Sequence, residues 1–308
     1  MSIEISVRQL RESDLAEADR IMRVAFGTFF GLPDPITFMG DAAYVQPRWR
    51  TDPKAAFAAD VDGKLAGSSF ATNWGSFGYF GPLTVAPDLW DRGIAKRLME
   101  PMMACFERWG TRHGGLFTFA NSQKHLGLYQ KFGFWPRFLT AIMSKSVRET
   151  TALPPSRFSL EKDQESVLKS CRALTDTIYD GLDLSREIRA VRDHRLGETV
   201  LLWEGSSLDG FAVCHFGPGT EGGSGKCYIK FSAARNGSAF EALLDACEVL
   251  AAGEHLSVIA TGVNTARDGA YVRMIARGFQ TDFLGVAMQK PNVPGYNRPG
   301  VYVLDDWR

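Results

Sequence analysis

The residues best suited to chemistry lie in one stretch, residues 79–106, with the sequence YFGPLTVAPDLWDRGIAKRLMEPMMACF. Its first part is apolar and β-branched, which favours a buried strand that Pro87 ends. Gly93 allows a tight turn, and from Ala95 apolar residues recur every three or four positions, as in an amphipathic helix. A strand, a glycine loop and a helix N-terminus direct unpaired N–H groups outward, so the stretch predicts a site for a phosphate or pyrophosphate.

The charges beside this loop partly cancel. Arg92, Lys96 and Arg97 add positive charge at its mouth, whereas Asp88 and Asp91 oppose it. The net electrostatic contribution of the loop to binding an anion is therefore expected to be modest.

The segment VAPDLWDRGIAKRLM resembles the acetyl-coenzyme A loop of the GNAT superfamily, the acyl-CoA N-acyltransferases. The family pattern is glutamine or arginine, two residues, glycine, one residue, then glycine or alanine. Gly93 and Ala95 match it, Arg92 lies inside the loop, and Trp90 stands where glutamine or arginine is usual. The resemblance implies that amides of residues 92–97 hold the cofactor pyrophosphate.

A second segment, NSQKHLGLYQKFGF, resembles the other cofactor segment of that family. Asn121 follows a predicted strand, and Tyr129 lies four residues before Gly133 of the glycine–aromatic pair. The resemblance implies cofactor binding by Leu83, Thr84, Val85, Arg92, Gly93, Ile94, Ala95, Lys96, Arg97 and Asn121. Tyr129 is the candidate proton donor to the departing sulfur, because a phenol with a pKa of about 10 is protonated at neutral pH.

The sequence leaves the general base open. Neither cofactor strand carries a carboxylate or a histidine, so the candidates are His125, Asp34, Asp41 and Glu107, a water relay, or an acceptor that arrives partly neutral. Amides near Thr84 and Val85 are expected to polarise the thioester carbonyl.

The other elements of the first half place these segments in a mixed, largely antiparallel α+β sheet of the GNAT type. Strands are predicted over residues 3–10, 55–61, 64–74, 81–86, 116–120 and 137–144, and helices over residues 15–26, from Ala95, and after Asn121. Residues 27–53 contain four prolines and many aromatic residues, and are expected to be irregular or partly helical. The resemblance places them over the acceptor pocket, which favours an apolar or aromatic acceptor.

The second half resembles a repeat of the first. FGFWPRFLTAIMSK, from Phe132, aligns with RGFQTDFLGVAMQK, from Arg277. Residues 233–243, AARNGSAFEAL, lack the glycine loop, and Met274 stands where a tyrosine is needed. We therefore expect a catalytic domain over residues 1–149, a linker over 150–156, and a second, degenerate GNAT-like domain over 157–308. The tail is expected to pack against the body. Asp305 and Asp306, beside Trp307, are expected to be solvated, and the alternative is that they line a cationic acceptor site.

Composition excludes several function classes. Lys and Arg total 35, as do Asp and Glu, so nothing favours nucleic acid or a membrane as partner. Five scattered cysteines without a C-x-x-C pair argue against disulfides and a zinc site, so no metal and a reducing cytoplasm are expected. The N-terminal segment lacks the apolar core of a secretory leader.

The sequence thus predicts an N-acetyltransferase that uses acetyl-CoA. The acceptor is a small-molecule amine or a peptide N-terminus, and assembly into homodimers stays open. The alternative is a non-catalytic protein that binds or senses acyl-CoA.

Overall fold

A computed structural model describes residues 4–308, where thirteen strands form one continuous sheet accompanied by eight α-helices. The first half contains β1 (Ile5–Gln9), α1 (Leu15–Phe29), α2 (Val45–Thr51), β2 (Ala56–Val61), β3 (Lys64–Trp74), β4 (Phe77–Val85), α3 (Ile94–Trp109), β5 (His113–Thr118), α4 (Gln123–Gln130) and β6 (Trp135–Ser146). The second half contains β7 (Ser156–Arg157), α5 (Gln164–Ile178), α6 (Ser185–Asp193), β8 (Gly197–Glu204), β9 (Ser207–Gly217), β10 (Gly223–Ala234), α7 (Gly237–Gly253), β11 (Val258–Asn264), α8 (Asp268–Ala276), β12 (Gln280–Lys290) and β13 (Tyr302–Leu304).

The strands lie in the order β1-β2-β3-β4-β5-β12-β6-β11-β10-β9-β8-β7, with β13 paired to β10. The β4–β5 and β10–β11 pairs are parallel, whereas the remaining pairs are antiparallel. The predicted α+β class with a mixed, largely antiparallel sheet is confirmed.

The two halves repeat one order of elements and exchange their last long strands. A strand, two helices, three strands, a helix, a strand, a helix and a strand run from β1 to β6 and again from β7 to β12. However, β12 lies between β5 and β6, and β6 lies against β11. Residues 147–155 form neither helix nor strand. The division of the chain into two domains by a linker at residues 150–156 stays a prediction. The structure shows in addition that strands of one half pair with strands of the other.

Most predicted elements are present, with shifted ends. The bounds of β3 agree with the prediction, whereas β4 begins at Phe77 instead of residue 81 and β5 at His113 instead of residue 116. Ile3, where the first strand was predicted to begin, lies outside the described residues. Residues 27–53 include the end of α1, a 3-10 helix over Pro35–Thr37, and α2.

A buried ion cluster joins the two halves beside β4. Two nitrogens of Arg48 donate to Glu221 at 2.9 and 3.0 Å, and a third bond runs to the carbonyl of Gly81. Lys230 lies 3.0 Å from Glu221 and 3.2 Å from Glu187. Burial alone would raise the pKa of Glu221, but the charges of Arg48 and Lys230 outweigh burial and lower it.

We predict that Glu221→Gln lowers the free energy of unfolding by about 3–5 kcal/mol, because it leaves two buried cations short of a counter-charge. Urea unfolding followed by circular dichroism measures this change. Glu17→Gln is the matched control, because Glu17 pairs with Arg20 on an exposed face of α1, where such a pair contributes about 0–1 kcal/mol. Equal losses in the two variants would show that the buried cluster does not hold the halves together.

Candidate active site

The main cleft opens where two neighbouring strands part. β4 pairs with β5 over three residues, Phe77, Gly78 and Tyr79, whereas β4 continues to Val85 and β5 to Thr118. Beyond Tyr79 the space between the strands becomes a cleft of about 880 Å³. The far half of β4 therefore has β3 on one side and the cleft on the other.

The ladder between β3 and β4 decides which amides of β4 face the cleft. The N–H of Ala86 donates to the carbonyl of Ala66 at 2.8 Å, and bonded and non-bonded pairs alternate along an antiparallel ladder. Thr84 therefore bonds to β3, whereas the main-chain groups of Leu83 and Val85 point away from β3 towards the cleft. The N–H of Thr84 is therefore already used by the sheet, and the carbonyl of Val85 accepts from the indole of Trp90. Leu83 and the N–H of Val85 keep main-chain groups that a ligand in the cleft could pair with.

The connection after β4 leads to the N-terminus of α3. Gly93 is the N-cap residue, and its φ of +81° is one that glycine adopts without strain. The N–H of Arg97 donates to the carbonyl of Gly93 at 3.3 Å, so helical hydrogen bonding begins there. The N–H groups of Ile94, Ala95 and Lys96 belong to the first turn, which has no internal acceptor for them, and this suits them to an anion.

Trp90 has a structural role at the position where the family pattern has glutamine or arginine. Its indole N–H donates to the carbonyl of Val85 at 2.8 Å. Lys124 of α4 lies 5.6 Å from the centre of the Trp90 ring and 2.7 Å from Asp91. Trp90 therefore ties the loop to the end of β4, and α4 closes against it.

Most of the predicted site residues share this cleft. Its lining includes Leu83, Thr84, Val85, Gly93, Ile94, Ala95, Lys96 and Tyr129. Arg92 and Arg97 are exposed outside the lining, and Arg97 pairs with Glu100 at 3.0 Å. Asn121 lies in an adjoining shallow pocket beside Phe119. Cofactor contacts by Arg92, Arg97 and Asn121 stay predictions.

His125 and Tyr129 of α4 line the cleft, one helical turn apart. Burial raises the pKa of Tyr129, so its phenol keeps its proton at neutral pH. Burial, assisted by the charge of Lys124, lowers the pKa of His125 from 6.5, so its imidazole is neutral at pH 7. The cleft thus holds both a proton donor and a neutral base.

The other three candidate bases do not line the cleft. Asp34 and Glu107 are exposed. Asp41 accepts a hydrogen bond from the N–H of Ser224 at 3.0 Å, at a contact between the two halves. Of the four residues that the sequence left open, the structure brings His125 to the site.

Aromatic rings form a wall of the cleft, and one of them, Phe80, lies on β4 itself. The rings of this wall are Phe26, Phe29, Phe30, Phe38, Tyr44, Phe80, Phe117, Phe119, Phe283 and Trp307. Trp49, one of the aromatics of residues 27–53, instead donates to the carbonyl of Leu10 at 3.0 Å. The second half also lines the cleft, through four residues that the sequence patterns did not predict: Lys226, Phe283, Trp307 and Arg308. The apolar residues of the tail predicted that it packs against the body, but they did not predict which surface it contacts.

The equivalent opening in the second half is filled by the tail of the chain. β10 pairs with β11 from Lys226 to Ile229, and then β13 pairs with the last residues of β10, Ser232 to Ala234. A Cβ on Gly262 of β11 would lie 2.2 Å from the Cβ of Asp306. The tail therefore occupies the position that the cleft has in the first half.

Buried polar contacts hold the tail there. Arg267 donates to the carbonyl of Val303 at 2.9 Å and to Asp305 at 2.6 Å. Asp306 accepts from the hydroxyl of Tyr228 at 3.1 Å. The expectation that the two tail aspartates are solvated is wrong, because Arg267 and Tyr228 supply the donors that let them be buried.

The N-terminus of α7 also differs from that of α3. The side chain of Asn236 accepts the N–H of Ala239 at 2.9 Å and caps the helix. A Cβ on Gly237 would lie 2.6 Å from the guanidinium of Arg273. Within residues 4–308, no group of acidic, His or Cys side chains could hold a metal ion, and no helix is long and apolar enough to cross a membrane.

Solved structures share this fold over the whole chain. A candidate acetyltransferase from Pyrococcus horikoshii superposes with a TM-score of 0.71 at 14% identity, over 98% of this chain and 95% of its own. A GCN5-related N-acetyltransferase from Sphaerobacter thermophilus gives 0.59 at 16% identity, over 96% of each chain. At such low identities these likenesses establish the fold, which is GNAT-like.

Sequence comparison points to the same family. No curated protein matches the chain in sequence. The profile of the acetyltransferase (GNAT) family matches residues 21–134, a span that contains β4, the glycine loop, α3 and Tyr129. The family match thus covers residues 21–134, and the likeness of fold extends over the whole chain.

Proposed function

We propose that the protein is an N-acetyltransferase that transfers the acetyl group of acetyl-CoA to a primary amine, with its active site between β4 and β5. The observation that carries this proposal is the convergence on one cleft of an unpaired strand edge, a free helix N-terminus and a protonated tyrosine. Each of the three matches a different part of an acyl-CoA thioester.

The cofactor would bind by main-chain contacts. Its pantetheine amides pair with Leu83 and Val85 as an added strand would, and its pyrophosphate accepts from the first N–H groups of α3. The hydroxyl of Thr84 is buried in the lining without a partner among residues 4–308, which fits a site that a polar ligand completes. Lys96 adds a positive charge beside the pyrophosphate.

The acyl transfer then needs few side chains. The amine nitrogen attacks the thioester carbonyl, a C–N bond forms, and the C–S bond breaks. Of the N–H groups of Leu83 and Val85, the one that does not bind the pantetheine arm would stabilise the developing oxyanion, a contribution of roughly 2.7–4 kcal/mol per donor. Tyr129 gives its proton to the thiolate, and His125 takes the proton that the amine loses.

The second half would be a degenerate copy that supports the first. Its capped α7 and its tail-filled opening leave no counterpart of the cofactor cleft. It would act by holding β4 and by supplying one wall of the acceptor pocket. A cytoplasmic location and the assembly state stay predictions.

We predict that Tyr129→Phe lowers kcat by about 10²–10⁴-fold, because the variant has no proton to give to the thiolate. Thiol release from acetyl-CoA measures turnover, and calorimetry should show an unchanged affinity for coenzyme A. Tyr271→Phe, on α8 outside the cleft, is the control and should keep full turnover. Unchanged turnover in Tyr129→Phe would remove Tyr129 from the mechanism.

We predict that His125→Gln removes the acidic limb of the pH profile of kcat/KM. A base must be neutral to accept a proton, so the rate of the unmodified enzyme should fall as the pH falls through the pKa of His125, below 6.5. His194→Gln, outside the cleft, is the control. If the acidic limb persists in His125→Gln, the proton passes to water or to another group.

The alternative is a protein that binds acyl-CoA without catalysis. The observation in its favour is that the cleft lining offers no unpaired carboxylate as a base. Asp91 is the one acidic side chain of the lining within residues 4–308, and it is paired with Lys124. Binding of coenzyme A without thiol release for any amine of a broad panel would favour this alternative.

A further inference from the structure

The charges around the cleft are unequal. Among the described residues 4–308, five cationic side chains line it, Lys96, Lys124, Lys131, Lys226 and Arg308, against one acidic side chain, that of Asp91. Asp91 is already paired with Lys124 at 2.7 Å, on the loop that leads to α3. The part of the cleft away from this loop therefore offers positive charge and no carboxylate side chain to a substrate.

Two of the cations come from the second half of the chain. Lys226 is exposed near the start of β10. The guanidinium of Arg308 lies 5.2 Å from the ring centre of Tyr228 and 6.0 Å from that of Phe283. Asp306 holds one of its nitrogens at 2.9 Å, so the planar group is fixed in orientation and keeps other N–H donors.

Arg308 also lies beside the reacting strand. Its main-chain carboxyl carbon is 3.3 Å from the place of a Cβ on Gly81. Gly81 precedes Leu83 by two residues, and the amide of Leu83 is one that faces the thioester in the proposed mechanism. The main chain of Arg308 therefore contacts β4, and its guanidinium lies within one side-chain length of that strand, over the rings of Tyr228 and Phe283.

The remaining acceptor wall is apolar. Phe29, Phe30 and Phe38 form stacked and edge-on contacts with ring centres 5.4 to 5.6 Å apart. Phe283 and Phe30 are 37% and 46% exposed, so their rings have free surface for a ligand. Such a wall gains free energy by burying an aromatic or large aliphatic group.

We propose that the acceptor is a free α-amino acid with an aromatic or large apolar side chain, whose carboxylate is bound by Arg308 and Lys226. This inference rests on the proposed acetyl transfer and names its substrate class. The amino group would face β4, the carboxylate the two cations and the side chain the aromatic wall. Polyamines and other polycations are disfavoured, because they would meet like charge without a compensating carboxylate.

The test compares L-phenylalanine with phenethylamine, which differs by loss of the carboxylate. Thiol release should give a kcat/KM for phenylalanine at least about tenfold higher, the effect of one charge-assisted contact. Lys226→Gln and Arg308→Gln should each reduce that ratio, chiefly through KM for phenylalanine, and Arg308→Lys should restore part of it. Arg20→Gln, an exposed substitution on α1, should leave the ratio unchanged.

The choice of variants and of measurements separates a loss of selectivity from a loss of folding or of catalysis. Lys226 is exposed, so Lys226→Gln should fold normally. This variant therefore tests recognition of the carboxylate even if Arg308→Gln unfolds the tail beside Asp306. If no amine releases thiol, the proposed function fails, and calorimetry of phenylalanine and phenethylamine with the protein saturated in coenzyme A still measures the preference. Equal kcat/KM or affinity for the two amines, or better turnover of spermidine, would overturn the inference.

Discussion

A strand that separates from its neighbour must find another partner for its main-chain N–H and C=O groups. β4 and β5 separate after Tyr79, and this separation determines the rest of the site. The main-chain groups of Leu83 and the N–H of Val85 face the gap, whereas the Val85 carbonyl accepts from the Trp90 indole. The loop that follows β4 places the start of α3 beside the same space. The cleft is thus a break in hydrogen-bonded pairing that a strand-like ligand can complete.

The two halves of the chain meet the same requirement differently. β10 and β11 separate as β4 and β5 do, but β13 adds to the free edge of β10, and Arg267 holds the tail in place. The filled opening in the second half and the open one in the first follow from one topology. The halves differ in what pairs with the free strand edge: β13 pairs with β10 in the second half, whereas the edge of β4 is open to the cleft in the first.

The second half is nevertheless part of the site. Arg48 binds the carbonyl of Gly81 on β4 and both carboxylate oxygens of Glu221. The exchange of β6 and β12 adds pairing across the two halves. The position of the cofactor strand therefore depends on contacts that a first half alone would lack.

Local patterns in the sequence predicted the local structure. The three- and four-residue spacing after Ala95 predicted α3, and the strands predicted over residues 55–61 and 64–74 match β2 and β3 nearly at their bounds. Gly93, Ala95 and Tyr129 were predicted as site residues from short motifs, and the structure brings them to one cleft. These features depend on neighbours within a few residues.

The features that depend on distant residues were not predictable in this way. The exchange of β6 and β12 leaves both strand patterns unchanged, because each strand is apolar whichever neighbour it pairs with. Asp305 and Asp306 looked solvated because their partners, Arg267 and Tyr228, lie far away in the sequence. Lys226 and Arg308 line the cleft although they too are distant in sequence from its first-half residues, so local patterns did not predict them.

The most direct test of the account is a crystal structure of the protein with coenzyme A. The account predicts one cofactor per chain, with its pantetheine arm hydrogen-bonded to Leu83 and Val85, its pyrophosphate at the N-terminus of α3, and its sulfur near the hydroxyl of Tyr129. Coenzyme A bound beside β10, or anywhere that leaves the β4 edge unpaired, would contradict it.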